Sequence, residues 1–244
     1  EVTLLSTGDG FKNFDSDISI KSRLFENKFL KLIAKLIDRL IGVSLNEIEI
    51  FIKAIFKINK LKGFDIVQLI NERAFGTSPR LEKTILKYIF KNNKKVFLLA
   101  CGVDTVSIKY ASEKKFRYSI LSPYFKNKNL KGEFKHTVKY LNSNYFMLGE
   151  YVRDNVRGII SSDLDYHIPY ENFNKYLGMI PNPVNIDKLK KSEINKKNKI
   201  FILHAINSKN KIKKGNEFFE KSLILIEEKY KNKIKIVKTI DRPY

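Results

Sequence analysis

The stretch that decides the fold runs from Asp65 to Asp104: DIVQLINERAFGTSPRLEKTILKYIFKNNKKVFLLACGVD. Its opening, Asp65 to Ile70, is a short, largely apolar run, and so is Val96 to Ala100 near its close. Runs of this length without strict alternation predict strands buried on both faces. Between them Pro79-Arg80 opens a helix, with Leu81, Ile85, Tyr88 and Ile89 at three- and four-residue spacing. Proline suits a first helical position because the amide it lacks has no partner there anyway. Strand, helix and strand in that order imply a parallel pair joined by a crossover, and hence an α/β domain with a doubly wound, Rossmann-like sheet covered by helices on both sides.

Working outward, Val2 to Ser6 reads as a strand emptying into the tight loop Gly8-Asp9-Gly10. From Phe25 the apolar residues Phe29, Leu32, Leu36 and Leu40 recur at helical spacing, with Lys28, Lys31, Lys35 and Arg39 on another face. A second amphipathic helix follows Asn46-Glu47, with Ile48, Phe51, Ile55 and Ile58 inward, and closes at Gly63. Thr105 to Leu141 is polar, aromatic and basic without a clear period, which predicts loops and short helix. A helical pattern returns from Asn142 to Arg157, and Gly158 to Ser162 reads as a strand. A second domain is expected from about Val184, with a strand over Ile200 to Leu203, a helix over Asn216 to Tyr230 and a strand over Ile234 to Val237. The division is therefore 1–183 and 184–244. No repeat of fixed period is present.

Composition narrows the classes. A 28.5 kDa chain of 244 residues with 43% hydrophobic content buries a core and does not read as disordered. A single cysteine, Cys101, forms no internal disulfide and belongs to no metal or redox pair. No segment reads as a signal peptide, and no apolar run approaches the roughly 20 residues that a membrane span needs. A cytoplasmic setting is expected. The chain begins at Glu1 and stops just after a strand-like KIKIVKTI, so it is expected to be a piece of a longer protein. The net charge of +21 suits phosphate-bearing partners. Lysine far outnumbers arginine and is spread along every segment, as compositional bias produces, so the charge alone does not specify nucleic acid. The basic faces of the two early helices offer a peripheral contact with an anionic inner leaflet.

The run from Gly158 to Leu223 carries a family resemblance. GIISSDLDYHIPYENF is followed by Met179-Ile180-Pro181-Asn182-Pro183-Val184-Asn185, then by the strand-like Lys199 to His204, then by a basic loop ending in Lys214-Gly215 and a helix. This order resembles the join between the halves of a retaining, group 1 (family 4-like) glycosyltransferase of the GT-B fold. The resemblance implies two Rossmann-like domains facing across a cleft, with a nucleotide-sugar donor on the second and a glycan or lipid-linked acceptor on the first, as in bacterial cell-surface polysaccharide assembly. It implies that Lys209, Lys214 and Gly215 hold the donor diphosphate. Lys209 stands where the family has arginine, so a point charge replaces a bidentate fork. It also implies that Asp104 is catalytic and that Gly8, Asp9 and Gly102 line the cleft. Lysine charge and helix-terminal amides would then neutralise the departing phosphate, and no metal or other cofactor is expected.

The family's paired glutamates would lie beyond Tyr244. Glu220 and Glu228 match their spacing but fall on the wrong element and read as helix-surface residues. His167 and His204 lie beside carboxylates and the basic loop respectively, without metal-ligand spacing, and His136 has no assigned role. Two other classes remain open on the residues alone: a basic nucleic-acid-binding module, and a non-catalytic scaffold in a glycan assembly complex.

Overall fold

The computed structural model describes residues 1–8, 15–22, 36, 44–183, 186–188 and 199–241. The chain divides into two compact units, one made of 1–113 and 136–182, the other of 114–135 and 183–244. Residues 114–135 thus leave the linear order and group with the C-terminal part.

The first unit opens with a short parallel pair, β1 (Leu5–Ser6) and β2 (Ile18–Ser19). Helix α1 (Leu45–Phe56) starts where Ser44 accepts a hydrogen bond from the Glu47 amide, as an N-cap serine does. Lys53 of α1 and Lys57 just after it do not form a free basic face. Lys53 Nζ donates to Lys21 O and Lys57 Nζ to Ser19 O, each at 2.7 Å, and Lys53 also pairs with Glu49. They hold the chain around β2. The earlier helix expected over residues 25–40 lies outside the described residues apart from Leu36, which is helical and exposed.

In chain order there follow β3 (Ile66–Ile70), α2 (Pro79–Asn92), β4 (Lys95–Ala100), α3 (Thr105–Ser112), α4 (Ser122–Lys126), α5 (Lys131–Val138), α6 (Ser143–Asn155), β5 (Gly158–Ser161), α7 (Leu164–Tyr170) and β6 (Tyr176–Met179), of which α4 and the start of α5 group with the second unit and the rest build the main sheet of the first. Its four strands are all parallel in the order β3-β4-β5-β6. This is a parallel α/β sheet flanked by helices, compatible with a Rossmann-like fold. Thr105 to Leu141, expected to be loops and short helix, contains three short helices. Their period was hidden because α3 buries Thr105 and Ser107 along with Ile108 and Ala111, so polar residues occupy inward positions. Helix α7 and strand β6 were also not foreseen.

Strand order rising in one direction, with right-handed crossovers, sends the connecting helices to one face. The core agrees: Leu69, Val96, Leu98, Ala100 and Ile159 pack with Ile85, Leu86 and Ile89 of α2, Leu148 and Val152 of α6, and Tyr166 and Tyr170 of α7. The other face is more open than a doubly covered sheet requires. Ile66 and Ile70 are 63% and 55% exposed.

In the second unit β7 (Ile200–Ile206) and β8 (Ile234–Ile240) pair in parallel over seven residues, joined through α8 (Asn216–Tyr230). This is a single β-α-β step. Among the described residues no helix is long and apolar enough to cross a membrane.

Candidate functional site

In a parallel sheet every strand delivers its chain to the same edge, so loops and helix N-termini converge there. In the first unit that edge is knitted together by side chains. Asn71, held at φ 78°, follows β3, and its Nδ2 donates to Cys101 O at 2.6 Å and Val103 O at 2.8 Å in the loop after β4. Gly102 turns that loop at φ 69°, and its carbonyl accepts the Tyr166 hydroxyl from α7. A side chain would be strained at this φ, whereas glycine is not.

Behind these loops lies a buried ionic cluster. Glu72 accepts from the Thr105 amide and hydroxyl, each at 2.9 Å, and pairs with Arg153 of α6. Asp104 is the N-cap of α3, with Oδ1 accepting from the Ser107 amide at 2.7 Å. Its Oδ2 is buried without a hydrogen-bond partner. Tyr170 Oη neighbours Asp104 and Arg153, close enough to favour the charged carboxylate, yet is in hydrogen-bonding geometry with neither. Glu72 and Asp104 are almost wholly shielded from solvent, at 1% and 0% exposure. Burial first, and then the Asp104 charge, push the Glu72 carboxyl up to about 7. Burial raises Asp104 as well. Two inward carboxylates facing one guanidinium leave one negative charge unmatched, and the least costly remedy is a retained proton.

Asp104 sits inside the protein as a helix cap, so it presents no solvent-reachable carboxylate as a base. Gly102 is exposed at the loop turn, and Gly8 is exposed at φ 119° beside Lys21. Asp9 lies outside the described residues. Cys101 is held as a thiol, since burial together with Asp104 and Asp163 pushes it up to about 11. His167 Nδ1 meets Tyr176 Oη at 2.7 Å, and Tyr176 Oη meets Ser161 Oγ at 2.6 Å, a chain that fixes the ring at the end of β5. Among the described residues no three His, Cys, Asp or Glu side chains converge as metal ligands. Sequence reasoning missed Asn71, Glu72, Arg153 and Tyr170. The available signal was the polar triplet Asn71-Glu72-Arg73 directly after an apolar strand, where a soluble loop would not need an inward carboxylate.

In the second unit β7 runs into a 3₁₀ turn, Ser208–Asn210, then to Gly215 at φ 67° immediately before α8. Lys209 and Lys214 are exposed, Lys213 is half-buried, and Lys211 lies 3.9 Å from Glu220. Helix α8 has no side-chain cap, and its first amides are engaged within the turn, Asn216 N donating to Lys211 O and Phe218 N to Gly215 O, so the lysines and the positive end of the helix dipole together make this end electropositive. Two buried polar atoms here have no partner: His204 Nδ1 at the end of β7, and Asn216 Nδ2 at the first position of α8. Both residues are more than nine-tenths buried. Glu220 and Glu228 lie on α8, as read from the sequence.

No family model, curated protein or solved structure matches the chain. Each unit offers one strand edge with chemistry of its own. The first is a proton-holding structural cluster with glycine at its rim. The second is a cationic loop at a helix N-terminus, suited to an anion with several oxygens.

Proposed function

We propose that this chain acts in a nucleotide-sugar-dependent glycosyltransferase with two Rossmann-like halves, its diphosphate held by the loop between β7 and α8. The observation that carries the reading is the coincidence, at one helix N-terminus, of Lys209, Lys214, the left-handed Gly215 and the partnerless Asn216 Nδ2. A donor amide buried without an acceptor is costly, and a ligand oxygen would satisfy it. Cationic side chains and helix amides stabilise the developing negative charge on a departing phosphate in the way a divalent ion would. Parallel β-α-β geometry supports the same reading, because it directs loop and helix toward one edge.

The acceptor, a glycan or lipid-linked sugar, is assigned to the first unit, at the loops that carry Gly102 and Gly8. Asp104 then acts from inside, positioning the Gly102 turn by capping α3, and is not the atom that meets the acceptor. Calorimetric titration with uridine and guanosine diphosphates tests the assignment. Binding of at least one, weakened about ten- to hundredfold by Lys214→Ala as expected for a charged hydrogen bond, supports it. No binding of either at millimolar concentration, or no effect of the substitution on binding, overturns it.

A further inference from the structure

We propose that the second unit docks on an anionic lipid bilayer through the basic, aromatic surface formed by residues 114–135 and the adjoining start of α8. Between Lys114 and Lys135 six lysines and one arginine stand against a single acid, Glu133, and all seven cations are exposed. That is +6 in 22 residues, where the whole chain carries +21 in 244. The segment therefore stands well above the lysine-rich background.

Five aromatic residues share the segment, and the fold interleaves the two kinds. Lys128 Nζ lies 4.2 Å from the Tyr124 ring centre and 5.4 Å from that of Phe125, with Lys114 Nζ 5.7 Å from Phe125. Lys126 reaches the Phe218 ring on α8 at 5.4 Å, and Lys213 reaches Phe134 at 5.5 Å. These contacts join the two pieces of the unit into one surface. Tyr118 and Phe218 project from it at 75% and 59% exposure.

Such a surface complements a leaflet. Ammonium groups meet lipid phosphates, while exposed rings and lysine stems enter the headgroup layer. Single-stranded nucleic acid uses similar ingredients, but it needs bare ring faces for base stacking and favours guanidinium forks. Here ammonium groups already sit over the rings of Tyr124, Phe125, Phe134 and Phe218, and only Arg117 supplies a fork. The bilayer is the better fit. It is also a different surface from the helix faces suggested by the sequence, since Lys53 of α1 and Lys57 just after it are engaged in holding β2. The inference does not depend on the reaction proposed above.

Co-sedimentation with phosphatidylglycerol-containing vesicles, compared with pure phosphatidylcholine vesicles, tests it. The protein should pellet with the anionic vesicles only and be released as salt rises. Replacing Lys126, Lys128 and Lys131 together by Gln should weaken vesicle binding about a hundredfold, given the contribution of each surface cation, and replacing all three by Arg should preserve it. Circular dichroism checks that the Gln variant folds; if it does not, the Arg variant and the salt release of the unaltered protein decide. Equal binding to neutral vesicles, absence of binding at low salt, or undiminished binding by a folded Gln variant overturns the proposal. Tighter binding to a single-stranded oligonucleotide than to anionic vesicles at physiological salt also overturns it and identifies nucleic acid as the partner.

Discussion

Replacing Glu72 by Gln isolates the proton held by the buried cluster. The side chain keeps its shape and its ability to accept from the Thr105 amide, but loses its charge. In the native protein burial and Asp104 raise the Glu72 carboxyl from 4.5 to about 7, so the folded state binds a proton more tightly than the unfolded chain does. Between these two values the folded state carries the extra proton, and stability therefore falls as pH rises through that window. Below it the penalty is absent, and above it the penalty is complete. At about 1.4 kcal/mol per pH unit, the native protein should lose about 3 kcal/mol relative to Glu72→Gln on going from pH 4.5 to pH 7. Urea unfolding of both proteins across this range measures the difference. The chain has no tryptophan but 12 tyrosines, so tyrosine fluorescence and circular dichroism are the probes. A difference that stays flat, or one that favours the native protein increasingly as pH rises, would mean that the Arg153 pairing outweighs burial, and it would refute the charge count.

Arg153→Leu leaves both carboxylates without a counter-ion, and should cost about 3 to 5 kcal/mol near neutral pH, with part of the loss recovered in acid as the carboxyls protonate. Gly149 and Gly158 give outcomes of different size for the same substitution. An added Cβ at Gly149 would lie 2.6 Å from Glu72 Oε1 and 2.8 Å from Arg153 Nη1, inside the cluster, so Gly149→Ala should lower Tm by the several degrees that about 1 to 3 kcal/mol of overpacking implies. At Gly158 the Cβ would press on Leu177 and lie 3.3 Å from Phe97 Cδ1, but Leu177 is 62% exposed and can shift outward, so Gly158→Ala should lower Tm less than Gly149→Ala does. Leu98→Ala, at a wholly buried position in the central strand β4, should cost about 2 to 5 kcal/mol in urea unfolding.

The strand and helix rhythm of both units was legible because its signals are local. Asp65 to Ile70 and Val96 to Ala100 are apolar runs of strand length, Pro79 marks a helix start, and Asn216 to Tyr230 has a glycine before it and an unbroken helical composition. These features depend only on neighbours in the chain, so they survive without knowledge of the fold. The lysine-rich loop before Gly215 was legible for the same reason. The segment 105–141 was not, because its inward positions carry Thr105 and Ser107, whose burial is intelligible only once Glu72 and Asp104 supply their hydrogen bonds.

What the sequence determined by itself was the parallel β-α-β plan and the place of a cationic turn at a helix start, since period, proline and glycine act over a few residues. The tertiary structure alone decided the rest. Glu72 meets Arg153 across 81 residues, Asp104 turns inward to cap α3, and residues 114–135 join the C-terminal unit. The physical reason is the same in each case. Whether a charge is buried, and what neutralises it, depends on distant groups brought together by core packing, and no local pattern encodes that distance.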